Sequence, residues 1–148
     1  MKKIRLTKEF HFEMAHLLEG YDGPCRNVHG HSYKLEVTVI GEPISDITNP
    51  KFGMVMDFGE LKSIVNRLVI SRFDHVLLVN NSSEIARKSE LHFLEKMERV
   101  NYQPTCENLL LHIAELIAPE LPPYVKLHHI KLHETATSYA EWYASDNE

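Results

Sequence analysis

The stretch HGHSYKLEVTV, residues 29–39, decides the fold of this chain. Its histidine, aromatic and aliphatic residues fall on odd positions and its small or polar residues on even ones, a period of two that predicts a β-strand with one buried face. Residues 4–16 alternate in the same way on even positions, so we predict a preceding strand that ends at His16. A loop over residues 19–27, with two glycines and a proline, connects the two strands.

The remaining sequence predicts two main helices and further strands. Asp57 is a candidate N-cap with Glu60 three residues later, and apolar residues follow at helical spacing to residue 69. A second helix is predicted from Thr105 as N-cap to residue 117. We also predict extended segments over residues 54–58, 125–133 and 138–143, and a short helix with a mixed face within residues 80–99. This order predicts an α+β fold: an antiparallel sheet with two main helices on one face, forming a single domain over residues 1–148.

Composition and charge exclude several classes of protein. The 148 residues are 43% hydrophobic and 25% charged, and a net charge of −5 gives no general attraction to nucleic acid or to an anionic membrane. The N-terminus lacks the apolar segment of a signal peptide, and no run reaches transmembrane length. Cys25 and Cys106 are too few for a disulfide framework and are predicted to be thiols. We expect a cytoplasmic protein without nucleic-acid or membrane partners.

Three of the ten histidines fall in register on the two predicted strands. His29 and His31 project from one face, because side chains two residues apart on a strand do so. His16 lies on the face that meets them if the strands pair. Three neutral imidazoles with one open position are typical of catalytic zinc, although iron, copper and nickel also accept imidazole. A lone histidine is better explained as an ordinary hydrogen-bonded residue, but the triple favours a metal site.

Cys25 leaves two interpretations open. As a fourth ligand it would close the site and make the zinc structural. As a base or nucleophile it would act as a thiolate, favoured by the nearby cation. A loop of glycine, proline and charged residues is a poor place to bury a thiol as a small apolar group. Spacing alone does not separate the ligand from the base.

Five further polar residues are candidates for proton transfer or binding. Asp74 can orient the imidazole of His75 for proton transfer, although the residues alone favour a loop-end cap beside a surface histidine. Glu134 ends a strand on its apolar face, where a carboxylate needs a partner; its two oxygens suit the N–H and amino group of a guanine-like ring, unless it points to solvent. Thr105 and Glu107 are explained by helix capping and the helix dipole.

Six segments taken together resemble the 6-pyruvoyl-tetrahydropterin synthase family. They are FHFEMAHLL (10–18), CRNVHGHSYKLEVTVIGE (25–42), GMVMDFGELK (53–62), FDHVLL (73–78), PTCENLL (104–110) and HETATSYAEW (133–142). The spacing Cys-x₃-His-Gly-His is most similar to the bacterial, 6-carboxytetrahydropterin-forming branch of queuosine biosynthesis. The resemblance implies a T-fold, whose subunits join their sheets into barrels and commonly form homohexamers.

The resemblance also implies a function for each candidate residue. By this resemblance, His16, His29 and His31 match the family's zinc ligands, and Cys25 matches its catalytic thiol rather than a fourth ligand. Asp74 and His75 match the proton relay, and Glu134 matches the residue that anchors the pterin and is also placed in the relay. Thr105 and Glu107 match positions near the pterin.

The implied reaction is a zinc-dependent lyase reaction on 7,8-dihydroneopterin triphosphate that yields 6-carboxytetrahydropterin, acetaldehyde and triphosphate. A pyruvoyl-forming synthase and a non-catalytic zinc- or pterin-binding module are the alternatives. Two departures from the family pattern are the long segment over residues 78–103 and Cys106, where serine is common.

Overall fold

A computed structural model describes residues 2–88 and 96–148. Within them, one six-stranded sheet has the order β4-β3-β1-β2-β5-β6. The strands are β1 (Ile4–His16), β2 (His29–Gly41), β3 (Val76–Asn80), β4 (Met97–Val100), β5 (Val125–His133) and β6 (Tyr139–Tyr143). The helices are α1 (Phe58–Val65), α2 (Ser71–Phe73), α3 (Glu84–Arg87) and α4 (Cys106–Ile117), and a π-helical segment, Asn66–Ile70, joins α1 to α2. The predicted fold class is confirmed.

The two central strands carry the core of the protein. β1 and β2 are antiparallel along their whole length, from the pair Ile4 and Gly41 to the pair His16 and His29. The even positions of β1 and the odd positions of β2 share a face, which the alternation predicted, and that face is buried against α1 and α4. Each large apolar side chain buried there contributes about 1.5–3 kcal/mol. The histidines at the strand ends continue this face, so the fold places them beside the core.

The sheet is mixed rather than wholly antiparallel. β3 runs parallel to both β1 and β4. Neither strand was predicted from the sequence. Residues 76–79 of β3 are a continuous apolar run that is buried throughout and shows no alternation, and β4 begins within residues 80–99, where a short helix was predicted. The extended segment predicted over residues 54–58 is wrong. Val55 and Met56 are buried in the loop before α1, where they fill the core without pairing in the sheet.

Both predicted helix starts are confirmed. The Asp57 carboxylate accepts a hydrogen bond from the Gly59 amide at 2.7 Å, and Glu60 pairs with Lys51 at 2.9 Å instead of completing a capping box. The Thr105 hydroxyl accepts from the Asn108 amide at 3.2 Å. The short helix predicted within residues 80–99 is the single turn α3; residues 89–95 of that prediction lie outside the described residues. In the described part of the chain, no helix has both the length and the apolar character to cross a bilayer.

Candidate active site

Three histidines converge at the end of the sheet next to α4. The pairing of β1 with β2 sets His16 opposite His29 and Met14 opposite His31, all on the buried face. One nitrogen from each imidazole lies within 4.8 Å of the others. Among the described residues, this is the one group of three or more histidine, cysteine or acidic side chains close enough to share a metal ion. The structure therefore brings together the three predicted zinc ligands, of which His16 is buried and the other two are partly buried.

The hydrogen bonds of two imidazoles fix their protons away from the centre of the cluster. The Nδ1 atom of His16 lies 2.7 Å from the Pro104 carbonyl oxygen, and that of His29 lies 2.7 Å from the Asn27 carbonyl oxygen. A carbonyl only accepts, so each Nδ1 is the donor and each Nε2 carries a lone pair. These two Nε2 atoms face each other at 3.0 Å. Two lone pairs that face each other at that distance repel. A cation bound by both nitrogens and by a third ligand would remove this repulsion.

Burial favours the neutral form, which binds metals, for two of the three imidazoles. It lowers the pKa of His16 to about 4, against the opposing effect of the Pro104 carbonyl. Burial also lowers the pKa of His31, against the opposing charge of Glu134. The His31 Nε2 atom is buried and has no hydrogen-bond partner among the described residues. Imidazoles that a carbonyl orients, as in His16 and His29, with Nε2 atoms close to one another are ligands that zinc prefers, so these residues fit the metal.

A cleft of about 310 Å³ opens beside the histidine cluster. Its lining includes Cys25, Thr105, Glu107 and Glu134, together with His16. These four candidate residues come from distant parts of the chain: the loop after β1, the first turn of α4 and the end of β5. The structure thus brings the thiol, the carboxylates and the histidine cluster together at one opening on the helix-bearing face of the sheet.

Cys25 and Glu134 are each held in place by a local backbone hydrogen bond. Cys25 lies in a one-turn 3₁₀ helix, Pro24–Arg26, and its carbonyl accepts from the Leu18 amide at 2.8 Å. Its sulfur is not part of the group of metal-binding atoms. The Glu134 amide donates to the Ser138 carbonyl at 3.0 Å, and the Glu134 Oε1 atom lies 3.8 Å from the His31 Nε2. Both side chains remain partly accessible from the cleft.

Asp74 and His75 are clamped onto the neighbouring strand β1. The Glu13 amide donates to Asp74 Oδ1 at 2.9 Å, and the His75 amide donates back to the Glu13 carbonyl at 2.6 Å. The same Oδ1 atom lies 2.9 Å from His75 Nδ1. The Glu13 amide holds the pKa of Asp74 below its usual range, with His75 acting in the same direction. His75 adopts φ 59°, a left-handed conformation that is uncommon for a residue other than glycine.

Within one chain the structure does not bring His75 to Cys25. His75 borders a different cleft, whose walls include Glu13, Ala15, Gly30 and Ser32, and which His31 of the cluster also borders. Odd positions of β1 and even positions of β2 face away from the helices, so those four residues lie on the opposite face of the sheet from the histidine cluster. The His75 side chain is 68% exposed there.

Two residues at the site were not assigned a function from the sequence. Cys106 lines the same cleft as Cys25, and burial raises the pKa of its thiol to about 12, so it remains protonated. Tyr33 is buried with its ring edge-on to His31, and its hydroxyl has no hydrogen-bond partner among the described residues. The signal for Tyr33 was its parity with His29 and His31, which places all three on one face.

A mixed sheet with its two main helices on one face and a three-histidine cluster at its end defines a T-fold protein with a candidate metal centre. Residues 5–145 match the family described as 6-pyruvoyl tetrahydropterin synthase, and the chain belongs to that family. A 6-carboxy-5,6,7,8-tetrahydropterin synthase from Haemophilus influenzae is 36% identical over 142 residues, which cover 94% of this chain and 98% of the relative. One from Rickettsia bellii is 33% identical over 141 residues, covering 93% and 99%.

Solved structures support the fold independently of sequence identity. The 6-pyruvoyl tetrahydropterin synthase of Plasmodium falciparum superposes with a TM-score of 0.72 at 22% identity, covering 95% of this chain and 98% of that chain. An uncharacterized protein from Wolinella succinogenes superposes with a TM-score of 0.80 at 20% identity, covering 97% and 99%. At identities this low, the structural similarity establishes the shared fold and no more.

Proposed function

We propose that this protein is a zinc-dependent 6-carboxy-5,6,7,8-tetrahydropterin synthase of queuosine biosynthesis. Its substrate would be 7,8-dihydroneopterin triphosphate, and its products 6-carboxytetrahydropterin, acetaldehyde and triphosphate. The observation that carries the proposal is the three-histidine cluster at the edge of a cleft that also contains a thiol and a carboxylate. The relatives with this product in their name, and the Cys-x₃-His-Gly-His spacing, support this branch over the pyruvoyl-forming one.

Zinc held by His16, His29 and His31 would supply Lewis-acid polarisation of side-chain oxygens without redox chemistry. Glu134 accepts from the ring N–H and amino group, and so orients the side chain of the pterin toward the histidine cluster. Cys25, as thiolate, removes a proton from that side chain. Thr105 and Glu107 form the adjacent wall of the cleft and limit how the ring enters.

The position of Cys25 supports its assignment as a base rather than a ligand. Cys25 lines the cleft, yet its sulfur is outside the set of atoms that lie within 4.8 Å of one another. A structural Cys-His₃ site would need that sulfur inside the set. Three histidines leave one coordination position open toward the cleft, which is the arrangement of catalytic zinc.

A second copy of the chain is needed to complete the proton relay. Within one chain, His75 of the Asp74–His75 pair and Cys25 line different clefts, and His75 is largely exposed. We infer that the pair from one subunit enters the cleft of its neighbour in a homo-oligomer, in which Asp74 holds the Nδ1 side of the imidazole. The exposed Nε2 of His75 then exchanges a proton with the substrate.

The first experiment incubates the zinc-loaded protein with 7,8-dihydroneopterin triphosphate and identifies the products by mass. We expect acetaldehyde together with 6-carboxytetrahydropterin. A pyruvoyl product without acetaldehyde would keep the site chemistry and move the protein to the other branch. No turnover by a folded, zinc-replete sample would leave the non-catalytic binding module as the better description.

Removal of the metal should abolish turnover and leave the protein folded. The helices and the sheet share an extensive apolar core that does not depend on the three imidazoles, so the apo-protein keeps its cooperative thermal unfolding. The measurement compares zinc content, activity and thermal unfolding before and after chelation. His16→Ala should lose zinc, whereas His11→Ala, on the opposite face of the same strand, should retain it. Unfolding on chelation would instead indicate structural zinc.

We further propose that the protein is cytoplasmic, that it forms a homohexamer whose sheets join into barrels, and that residues 1–148 form one domain. The core cluster supports the last of these, since it includes buried residues from both main helices and five of the strands in the described part of the chain.

A further inference from the structure

The hydroxyl of Tyr33 is a polar group at the site that the mechanism above does not use. Tyr33 is 1% exposed and lies two residues after His31 on the same face of β2. Its ring stacks on Phe12 with 5.0 Å between centroids and meets the His31 ring edge-on at 5.6 Å. Within the described part of the chain, the hydroxyl is buried without a hydrogen-bond partner. Such a group destabilises the folded state, because it loses water and gains nothing in exchange.

The phenol of Tyr33 can donate a hydrogen bond. A phenol has an ordinary pKa near 10, so it carries its proton at neutral pH. Glu134, Cys25 and Cys106 line the cleft next to the histidine cluster, and Tyr33 adjoins that cluster through its edge-on contact with His31.

The strand register brings Glu134 next to Tyr33. The last pair of β2 with β5 sets Lys34 opposite His133, and the same register continued by one residue past the end of β5 sets Tyr33 beside Glu134 on the buried face. Cross-strand neighbours on one face have their Cβ atoms about 4.5–5.5 Å apart. In the absence of a ligand the Glu134 side chain is 26% exposed, so water can solvate the oxygen lone pairs that no protein group uses.

We propose that Tyr33 is a positioning residue for the ring anchor: when a pterin ring fills the cleft, the Tyr33 hydroxyl donates a hydrogen bond to the Glu134 carboxylate. This inference rests on the proposed anchoring function of Glu134. A carboxylate offers about four lone-pair sites, of which the N–H and amino group of the ring use two. The bound ring excludes water from the others, and Tyr33 is the buried donor that replaces it. The hydrogen bond would hold the carboxylate in the plane of the ring.

The test is Tyr33→Phe, which removes the oxygen and keeps the ring. We expect KM for 7,8-dihydroneopterin triphosphate to rise about tenfold or more, the effect of one hydrogen bond to a charged group, with kcat changed less than about twofold. Binding of neopterin, followed by its fluorescence, should weaken by the same factor. The thermal midpoint of the free protein should be equal to or above that of the wild type, because an unpaired buried hydroxyl has been removed.

Tyr102→Phe is the matched control. Tyr102 is a partly buried tyrosine whose hydroxyl lies 2.6 Å from His112 Nδ1, in a different cleft from the one that holds Glu134. Its loss should lower the thermal midpoint and leave neopterin binding unchanged. A purely structural function of Tyr33 would give the same pattern as this control, so the two variants distinguish positioning from stability.

A double-mutant cycle with Glu134→Gln shows whether Tyr33 acts through the carboxylate. We expect Tyr33→Phe to have no further effect on neopterin binding in the Glu134→Gln background. Equal binding by wild type and Tyr33→Phe, or additive losses in the double variant, would overturn the inference while leaving the proposed function intact. Failure of the wild type itself to bind neopterin would overturn both.

Discussion

Cys25→Ala should lower kcat by about 10³-fold and leave the zinc content unchanged, because a positioned general base contributes roughly 10²–10⁴-fold and the metal-binding set contains only histidines. Zinc is measured by elemental analysis on the same preparation that is assayed for turnover. The fold should not change, since Cys25 lies in a surface-accessible turn outside the apolar core. The prediction therefore separates chemistry from both stability and metal binding.

Cys25→Ser serves as the shape control for this variant. Serine fills nearly the same space but gives up its proton far less readily than a thiol, so turnover should remain low if a thiolate is required. His29→Ala provides the opposite pattern, with loss of zinc and activity together. If Cys25→Ala also lost zinc in proportion to activity, Cys25 would be a fourth ligand and the closed, structural interpretation of the site would return.

Two inactive variants should regain activity when their subunits are mixed. Cys25→Ala removes the base from one cleft, and His75→Asn removes the imidazole that we assign to the cleft of a neighbouring subunit. Asparagine is chosen because the position has φ 59°, which asparagine tolerates better than alanine. Each variant alone should be inactive. Random mixing in a ring of head-to-tail contacts should restore about a quarter of the clefts to an intact pair.

The experiment co-expresses the two variants with different affinity tags and isolates assemblies that carry both. Separately purified variants mixed without exchange of subunits provide the baseline. Recovery of about a quarter of the wild-type activity supports a cleft shared between subunits. If the mixed assemblies stay inactive although both tags are present, Cys25 and His75 act within one chain, and the separation of the two clefts must be overcome by a rearrangement.

The sequence predicted those parts of the structure that depend on local periodicity. Alternation in β1 and β2 identified the buried face of each strand, and that parity alone placed His16, His29 and His31 on a common side. The helix caps Asp57 and Thr105 were also predictable, because an N-cap side chain bonds to amides only two or three residues away.

Other parts of the structure could not be predicted in this way. β3 gave no alternation because it is buried throughout, and its parallel pairing with β1 depends on a contact between residues about sixty positions apart. Val55 and Met56 looked like part of a strand because they are apolar, yet they fill the core from a loop. Local propensity does not determine which strand a segment pairs with or whether it pairs at all.

The sequence by itself determined which side chains share a face, since side-chain direction along a strand alternates with every residue. Tertiary structure alone decided which faces and strand ends meet. It brought Cys25 and Glu134 to one cleft and placed His75 at a different one. It also left the hydroxyl of Tyr33 buried without a partner among the residues that the structure describes. The physical reason is that periodicity is a property of neighbouring residues, whereas strand order, burial and the satisfaction of hydrogen bonds depend on contacts between segments far apart in the chain.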